Sequence, residues 1–256
     1  MNTTRPSRLP RPPRSPDEAL ARFDSLNPSE QKATYRALQD EVLRRCTDDG
    51  LFFLRFVKTR DEVDPDNTVK PFPLHYEYLR VLWQEMEAYQ KVIIAKSRQV
   101  LVSWLACAFA VWWARRRPNQ YVVLQTQVWD DATKLVCMAG GNRDATYLGR
   151  CQFIERHMPP WMRLPIKESE GQITYPHGSM IEALPGGADK VRGKVPSLVV
   201  EDEFAYQQEA RGVWTALAPL VQKGMKLVIV STPNGAEGST FYHLYHGTPI
   251  QTPTSG

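Results

Sequence analysis

Three stretches of this chain combine residue types that could handle a phosphorylated substrate. In the first, the apolar run Lys91-Val92-Ile93-Ile94-Ala95 leads into Lys96-Ser97-Arg98-Gln99-Val100-Leu101-Val102-Ser103 and then a long apolar segment. A strand, an eight-residue loop and a helix opening on Ser can aim backbone N–H groups at phosphate oxygens and a hydroxyl at Mg2+. The pattern G-x-x-x-x-G-K-[ST] is met only at its end. Lys96 stands in the first glycine place, Leu101 in the second and Val102 in the lysine place. By itself this segment reads as an ordinary strand, turn and helix.

The second stretch is Ser197-Leu198-Val199-Val200-Glu201-Asp202-Glu203-Phe204-Ala205. Burying consecutive carboxylates at the end of an apolar strand is costly without a cation or a reaction to serve. At the carboxyl end of a parallel strand, one acid can hold Mg2+ and the next can activate a water. The competing reading is an acidic helix start that suits the helix dipole. The third stretch, Leu227-Val228-Ile229-Val230-Ser231-Thr232-Pro233-Asn234-Gly235, ends a buried strand in small polar residues that could sense a phosphate or form a plain turn.

The elements that must position these groups can be read from periodicity. Asn27-Pro28-Ser29-Glu30 predicts a helix start, with Asn as N-cap and Pro at the first helical position, running to about Arg45. A short helix over 49–57, a loop over 59–71 and a helix over 75–89 follow. Strands are expected at 91–95, 121–124, 197–200 and 226–231, and a hairpin at 172–175 and 180–183. Helices are expected at 103–116, 130–138 and 205–221. Strands alternating with helices imply a mostly parallel sheet covered on both faces.

The chain has 256 residues, enough for one large domain or one domain with an appendage. It is 42% apolar and 23% charged, which excludes disorder throughout. Its net charge of +4 sits in the tail, where Arg5, Arg8, Arg11 and Arg14 precede the first acid, leaving 28 bases against 28 acids in the remainder. A body that coats nucleic acid non-specifically would be more basic, so any DNA contact is expected to be local or shared among subunits. Residues 1–16, with five prolines, are expected to be a disordered basic tail, 17–70 a helical lead-in or lid, and 71–256 the core. The cysteines Cys46, Cys107, Cys137 and Cys151 form no C-x-x-C pair and read as buried thiols. The run Val100–Ala114 is too short to span a bilayer and no signal peptide is visible, so no membrane role is expected. His157, His177, His243 and His246 lack ligand spacing, Trp104, Trp112 and Trp113 read as core, and Arg115-Arg116-Arg117 reads as cations at a helix C-terminus.

Taken together and in this order, Ser97-Arg98-Gln99-Val100…Ser103, then Val199-Val200-Glu201-Asp202-Glu203-Phe204-Ala205, then Ser231-Thr232-Pro233-Asn234-Gly235 resemble the ATPase domain of the large terminase subunit of tailed bacteriophages, over roughly 70–246. The resemblance implies an α/β P-loop NTPase core of the ASCE type, preceded by a small helical region. It implies an ATP hydrolase that uses ATP and Mg2+ to translocate double-stranded DNA into a procapsid, with a portal protein and a small terminase subunit as partners. A homo-oligomeric ring, a pentamer, acting in the host cytoplasm while docked on the procapsid is implied as well.

Residue by residue, the resemblance makes Asp202 and Ser103 the Mg2+ ligands and Glu203 the catalytic glutamate. Ser231, Thr232, Pro233 and Asn234 become the coupling motif, and Arg192 the arginine presented to a neighbouring subunit's nucleotide. Some relatives carry a loop of the form K-S-x-x-V-x-x-S, which Lys96-Ser97…Val100…Ser103 matches. Lys96, helped by Arg98, is therefore expected to meet the β/γ-phosphate charge, with Ser97, Gln99 and Val100 in the same cradle. Tyr76 is expected to stack on adenine. The place of Glu201 is usually apolar, so Glu201 remains an alternative to Asp202. No nuclease domain is expected in this chain. A catalytically silent assembly or DNA-docking module, or a helicase-like ATPase unrelated to packaging, remain the alternatives.

Overall fold

The computed structural model describes residues 15–61, 68–98, 100–126, 146–169, 171–235 and 237–250; the tail over 1–14, the helix expected at 130–138, Gln99 and Cys137 lie outside them. The chain divides into two compact units at Arg44 and Arg45. The first holds helix α1 (Pro16–Asp24) and most of helix α2 (Pro28–Asp48). The start of α2 is a reciprocal capping box. Asn27 Oδ1 accepts from Glu30 N at 3.0 Å, and Glu30 Oε2 accepts from Asn27 N at 3.0 Å.

The second unit is a three-layer α/β sandwich. Helix α3 (Gly50–Leu54) is capped by Asp49, whose side chain accepts from Phe52 N at 2.8 Å. Where a loop was expected, strands β1 (Lys58–Arg60) and β2 (Val69–Pro71) pair antiparallel. Helix α4 (Glu77–Ala88) follows. The main sheet comprises β3 (Lys91–Ala95), β4 (Tyr121–Thr126), β5 (Lys167–Ser169), β6 (Gln172–Thr174), β7 (Met180–Pro185), β8 (Leu198–Asp202) and β9 (Lys226–Ser231). Its spatial order is β3-β9-β8-β4-β7-β6-β5. The first five are parallel and the β7, β6 and β5 meander is antiparallel. Three all-polar residues carry β5, which no apolar pattern announces.

Helix α5 (Val102–Arg116) covers one face of the sheet. It is buried nearly all round because α3, α4 and α6 (Tyr147–Arg156) cover its other sides. The other face carries α8 (Ala210–Gln222) and α9 (Thr240–His246), which pack Val213, Leu217 and Phe241 on Val199, Leu227 and Ile229. Between β7 and β8 lies a short helix, α7 (Ala188–Val191). The helix expected at 205–221 starts later: Phe204–Tyr206 is a 3-10 turn and α8 begins at Ala210. The arginines in the last turn of α5 are absorbed by packing. Arg115 donates to Glu155 Oε2 at 2.5 Å and to Met162 O at 2.5 Å, and Arg116 lies over the Trp112 and Trp113 rings. The α5 carbonyl of Ala114 meets His177 Nε2 instead, at 3.1 Å. Cys46, Cys107 and Cys151 are buried free thiols.

Candidate functional site

Placing β9 between β3 and β8 brings the carboxyl ends of these three strands side by side, so all three sequence stretches meet at one edge. The register continues past the strand: Lys96 N donates to Ser231 O at 2.9 Å. At the centre, Lys96 Nζ lies 2.7 Å from Glu203 Oε1 and 3.4 Å from Thr232 Oγ1. Glu203 also accepts from Thr232 N at 3.0 Å and from Thr232 Oγ1 at 3.3 Å. Burial alone would raise the Glu203 pKa. The Lys96 ammonium and the two Thr232 donors outweigh it and hold this carboxyl below its ordinary value.

Glu203 adopts a left-handed backbone, φ 46° and ψ 41°, which is rare outside glycine and turns the chain sharply after β8. The turn is pinned from β9. Ser231 Oγ accepts from Ala205 N at 3.0 Å, and Asn234 Nδ2 donates to Ala205 O at 2.6 Å. Ser231, Thr232 and Asn234 thus bind the acidic turn directly, while Pro233 is exposed beside them.

Strand alternation separates the first two acids. Glu201 shares the α8 face with Val199, is fully buried, and accepts from Gln207 Nε2 at 2.9 Å. Burial pushes its pKa up to about 8, favouring the neutral acid, and its face is the one turned from α5, which carries Ser103. Asp202 lies on the α5 face. Burial raises its pKa to about 6, against the opposing pull of the Tyr147 hydroxyl and Lys96. Tyr147, on α6, links Asp202 and Ser103, because both act on its hydroxyl. These contacts fall outside good hydrogen-bond geometry, and Asp202 Oδ1 and the Tyr147 hydroxyl are each buried without a hydrogen bond. An orphaned carboxylate oxygen across the Tyr147 hydroxyl from a serine hydroxyl is a donor set that fits Mg2+. Among the described residues no group of three His, Cys, Asp or Glu could hold a metal unaided. That suits an ion that takes one carboxylate and completes its shell with water and substrate phosphates.

The loop over 96–103 closes with Leu101 in the left-handed region, φ 56°, directly before α5. The glycine place therefore keeps a glycine-type backbone although its residue is leucine. Tyr78 of α4 supports the loop by donating to Val100 O at 3.0 Å. Beside it opens a cleft of about 920 Å3, lined by Lys96, Ser97, Val100, Ser103, Tyr76 and Arg150 among others. Tyr76 is exposed in the cleft wall and packs on His75 at a centroid distance of 4.2 Å.

Two expected residues stay apart from this centre. Arg98 is exposed and does not line the cleft. Arg192 caps α7, exposed, with its guanidinium 2.7 Å from Asp189 Oδ1. It directly follows this short helix. Sequence reasoning missed Tyr147, Tyr78 and Arg150. No local signal marks them, because α6 and α4 become neighbours of the loop only through packing.

No protein-family model matches the chain. Solved structures do. The large terminase of bacteriophage HK97 aligns with a TM-score of 0.54 at 12% identity, over 78% of this chain and 40% of that one. The large terminase ATPase domain of Thermus phage P74-26 aligns with a TM-score of 0.48 at 18% identity, over 64% of this chain and 67% of that one. The chain thus spans well under half of the HK97 protein, and at these identities the likeness is one of fold. The mostly parallel seven-stranded sheet between helices is the fold that this chain shares with the large terminase of HK97.

Proposed function

We propose that this chain is the ATP-hydrolysing motor domain of a viral DNA-packaging terminase, and that it moves double-stranded DNA into a procapsid. The observation that carries the reading is the convergence of Lys96, Glu203 and Thr232 within 3.4 Å at the edge of the cleft. Lys96 neutralises the β/γ-phosphates, with Ser97 and Val100 in the cradle. Asp202 and Ser103 hold Mg2+, which when bound offsets phosphate charge. Glu203 orients the attacking water and takes its proton. Tyr76 offers its ring to adenine across the cleft.

Lys96 cannot serve Glu203 and a phosphate equally well. When it leaves for the nucleotide, Glu203 loses the cation that keeps its pKa low and becomes a better base. Thr232 contacts the same carboxylate, so hydrolysis and product release are felt at Ser231, Thr232, Pro233 and Asn234. This is a route to movement of DNA. Arg192, exposed and away from its own cleft, reaches a neighbouring subunit in a pentameric ring, where it stabilises charge developing on the γ-phosphate. A portal protein and a small terminase subunit are the partners, in the host cytoplasm.

Mg2+-dependent ATP turnover tests the reading. Glu203→Gln should cripple turnover while nucleotide still binds, and Lys96→Ala should weaken binding. A silent docking module is favoured by one observation, the occupation of Lys96 by Glu203. That reading predicts no calorimetric signal when ATP is titrated into the wild type.

A further inference from the structure

The cleft wall holds a cation with no assigned role. Among the described residues, the charged side chains lining the cleft include Arg60, Lys70, Lys96 and Arg150 against one acid, Asp61. Such an excess is unlike the neutral body of the chain and fits a polyanion. Lys96 pairs with Glu203, and Lys70 with Asp61 at 2.6 Å. Among the described residues Arg150 has neither an ion pair nor, at its buried Nε, any hydrogen-bond acceptor.

Its placement is specific. Arg150 stands one turn beyond Tyr147 on α6, and its guanidinium carbon lies 5.6 Å from the ring centroids of both Trp104 and Tyr147. Trp104 immediately follows Ser103, and the Tyr147 hydroxyl adjoins Asp202 and Ser103. The guanidinium is therefore at the phosphate end of the cleft. A stacked guanidinium is held in place by the rings and keeps its N–H fork available for a phosphate.

We infer that Arg150 is a nucleotide-binding residue that contacts the polyphosphate of the nucleotide in its own subunit, as a second cation beside Lys96. This inference rests on the nucleotide-binding reading above. Once the phosphates are in place, Arg150 meets the charge that the loop, lacking a lysine at Val102, does not meet.

Calorimetric titration of the full chain with Mg·ATP, Mg·ADP and AMP tests it, with Lys96→Ala, Arg150→Gln and Arg150→Lys as variants. The expected result for Arg150→Gln is a loss of at least about tenfold for ATP, the size of one charge-assisted contact, with AMP changed less than about twofold. Arg150→Lys, which keeps the charge but not the fork, should fall between wild type and Arg150→Gln. If Lys96→Ala loses ATP while both Arg150 variants bind as the wild type does, the inference fails and the nucleotide reading stands. Equal losses for ATP and AMP would reduce Arg150 to shaping the cleft and overturn the inference. If the wild type binds no nucleotide, both readings fall.

Discussion

Replacing Glu203 with Gln separates the ion pair from the chemistry. The Lys96 side chain is 9% exposed and that of Glu203 is 32% exposed. Their pair lies between a surface ion pair and a buried one, so about 1–2 kcal/mol must be given up when a nucleotide takes Lys96. Glutamine keeps the shape and a neutral hydrogen bond but removes most of this competition. Mg·ATP affinity should therefore rise by about five- to tenfold while turnover falls by about 10²-fold or more. Titration calorimetry reads the first and phosphate release the second. The control is the same substitution in a Lys96→Ala background. If the gain depends on freeing the ammonium, it disappears there. A gain that persists would come from relief of repulsion between carboxylate and phosphate, and weaker ATP binding in Glu203→Gln would refute the competition outright.

Other outcomes follow from the same coordinates. Glu201 keeps its proton up to about pH 8 in the fold but only to about its ordinary 4.5 when unfolded, so stability should fall as pH rises through that window. Glu201→Gln should leave the melting temperature unchanged near pH 5 and raise it near pH 9; identical profiles for variant and wild type would contradict the buried neutral acid. Leu101→Val should cost about 1–2 kcal/mol in denaturant melts, because a β-branched residue resists the left-handed region, whereas Leu101→Gly should be tolerated. Glu155→Gln breaks a buried pair with Arg115, whose side chains are 2% and 9% exposed, and should destabilise by about 3–5 kcal/mol in the same assay.

Much of the sheet was readable because its parallel strands are continuous apolar runs. The expected strands at 91–95, 197–200 and 226–231 match β3, β8 and β9 to within two residues, and 121–124 is extended to Thr126. The hairpin was equally plain from Pro176-His177-Gly178-Ser179, where Tyr175 N donates to Ser179 O at 2.9 Å. The β1 and β2 hairpin was not, since three-residue polar strands carry no period. The late start of α8 was hidden for another reason. Residues 204–209 have helix-compatible side chains, but the left-handed turn at Glu203 and the bond from Gln207 to Glu201 hold them out of a helix.

Composition, turn chemistry and apolar runs sufficed for an α/β chain with a loop, three acids and a polar turn at strand ends, since those signals are local and survive without the partner strand. Which acid faces the loop, which hydroxyl adjoins it and which cation lines the cleft required the assembled layers. Side-chain direction depends on which face each neighbour covers, and burial, which moves the carboxyls of Glu201 and Asp202 far from their usual range, exists only once α5, α6 and α8 have closed over the sheet.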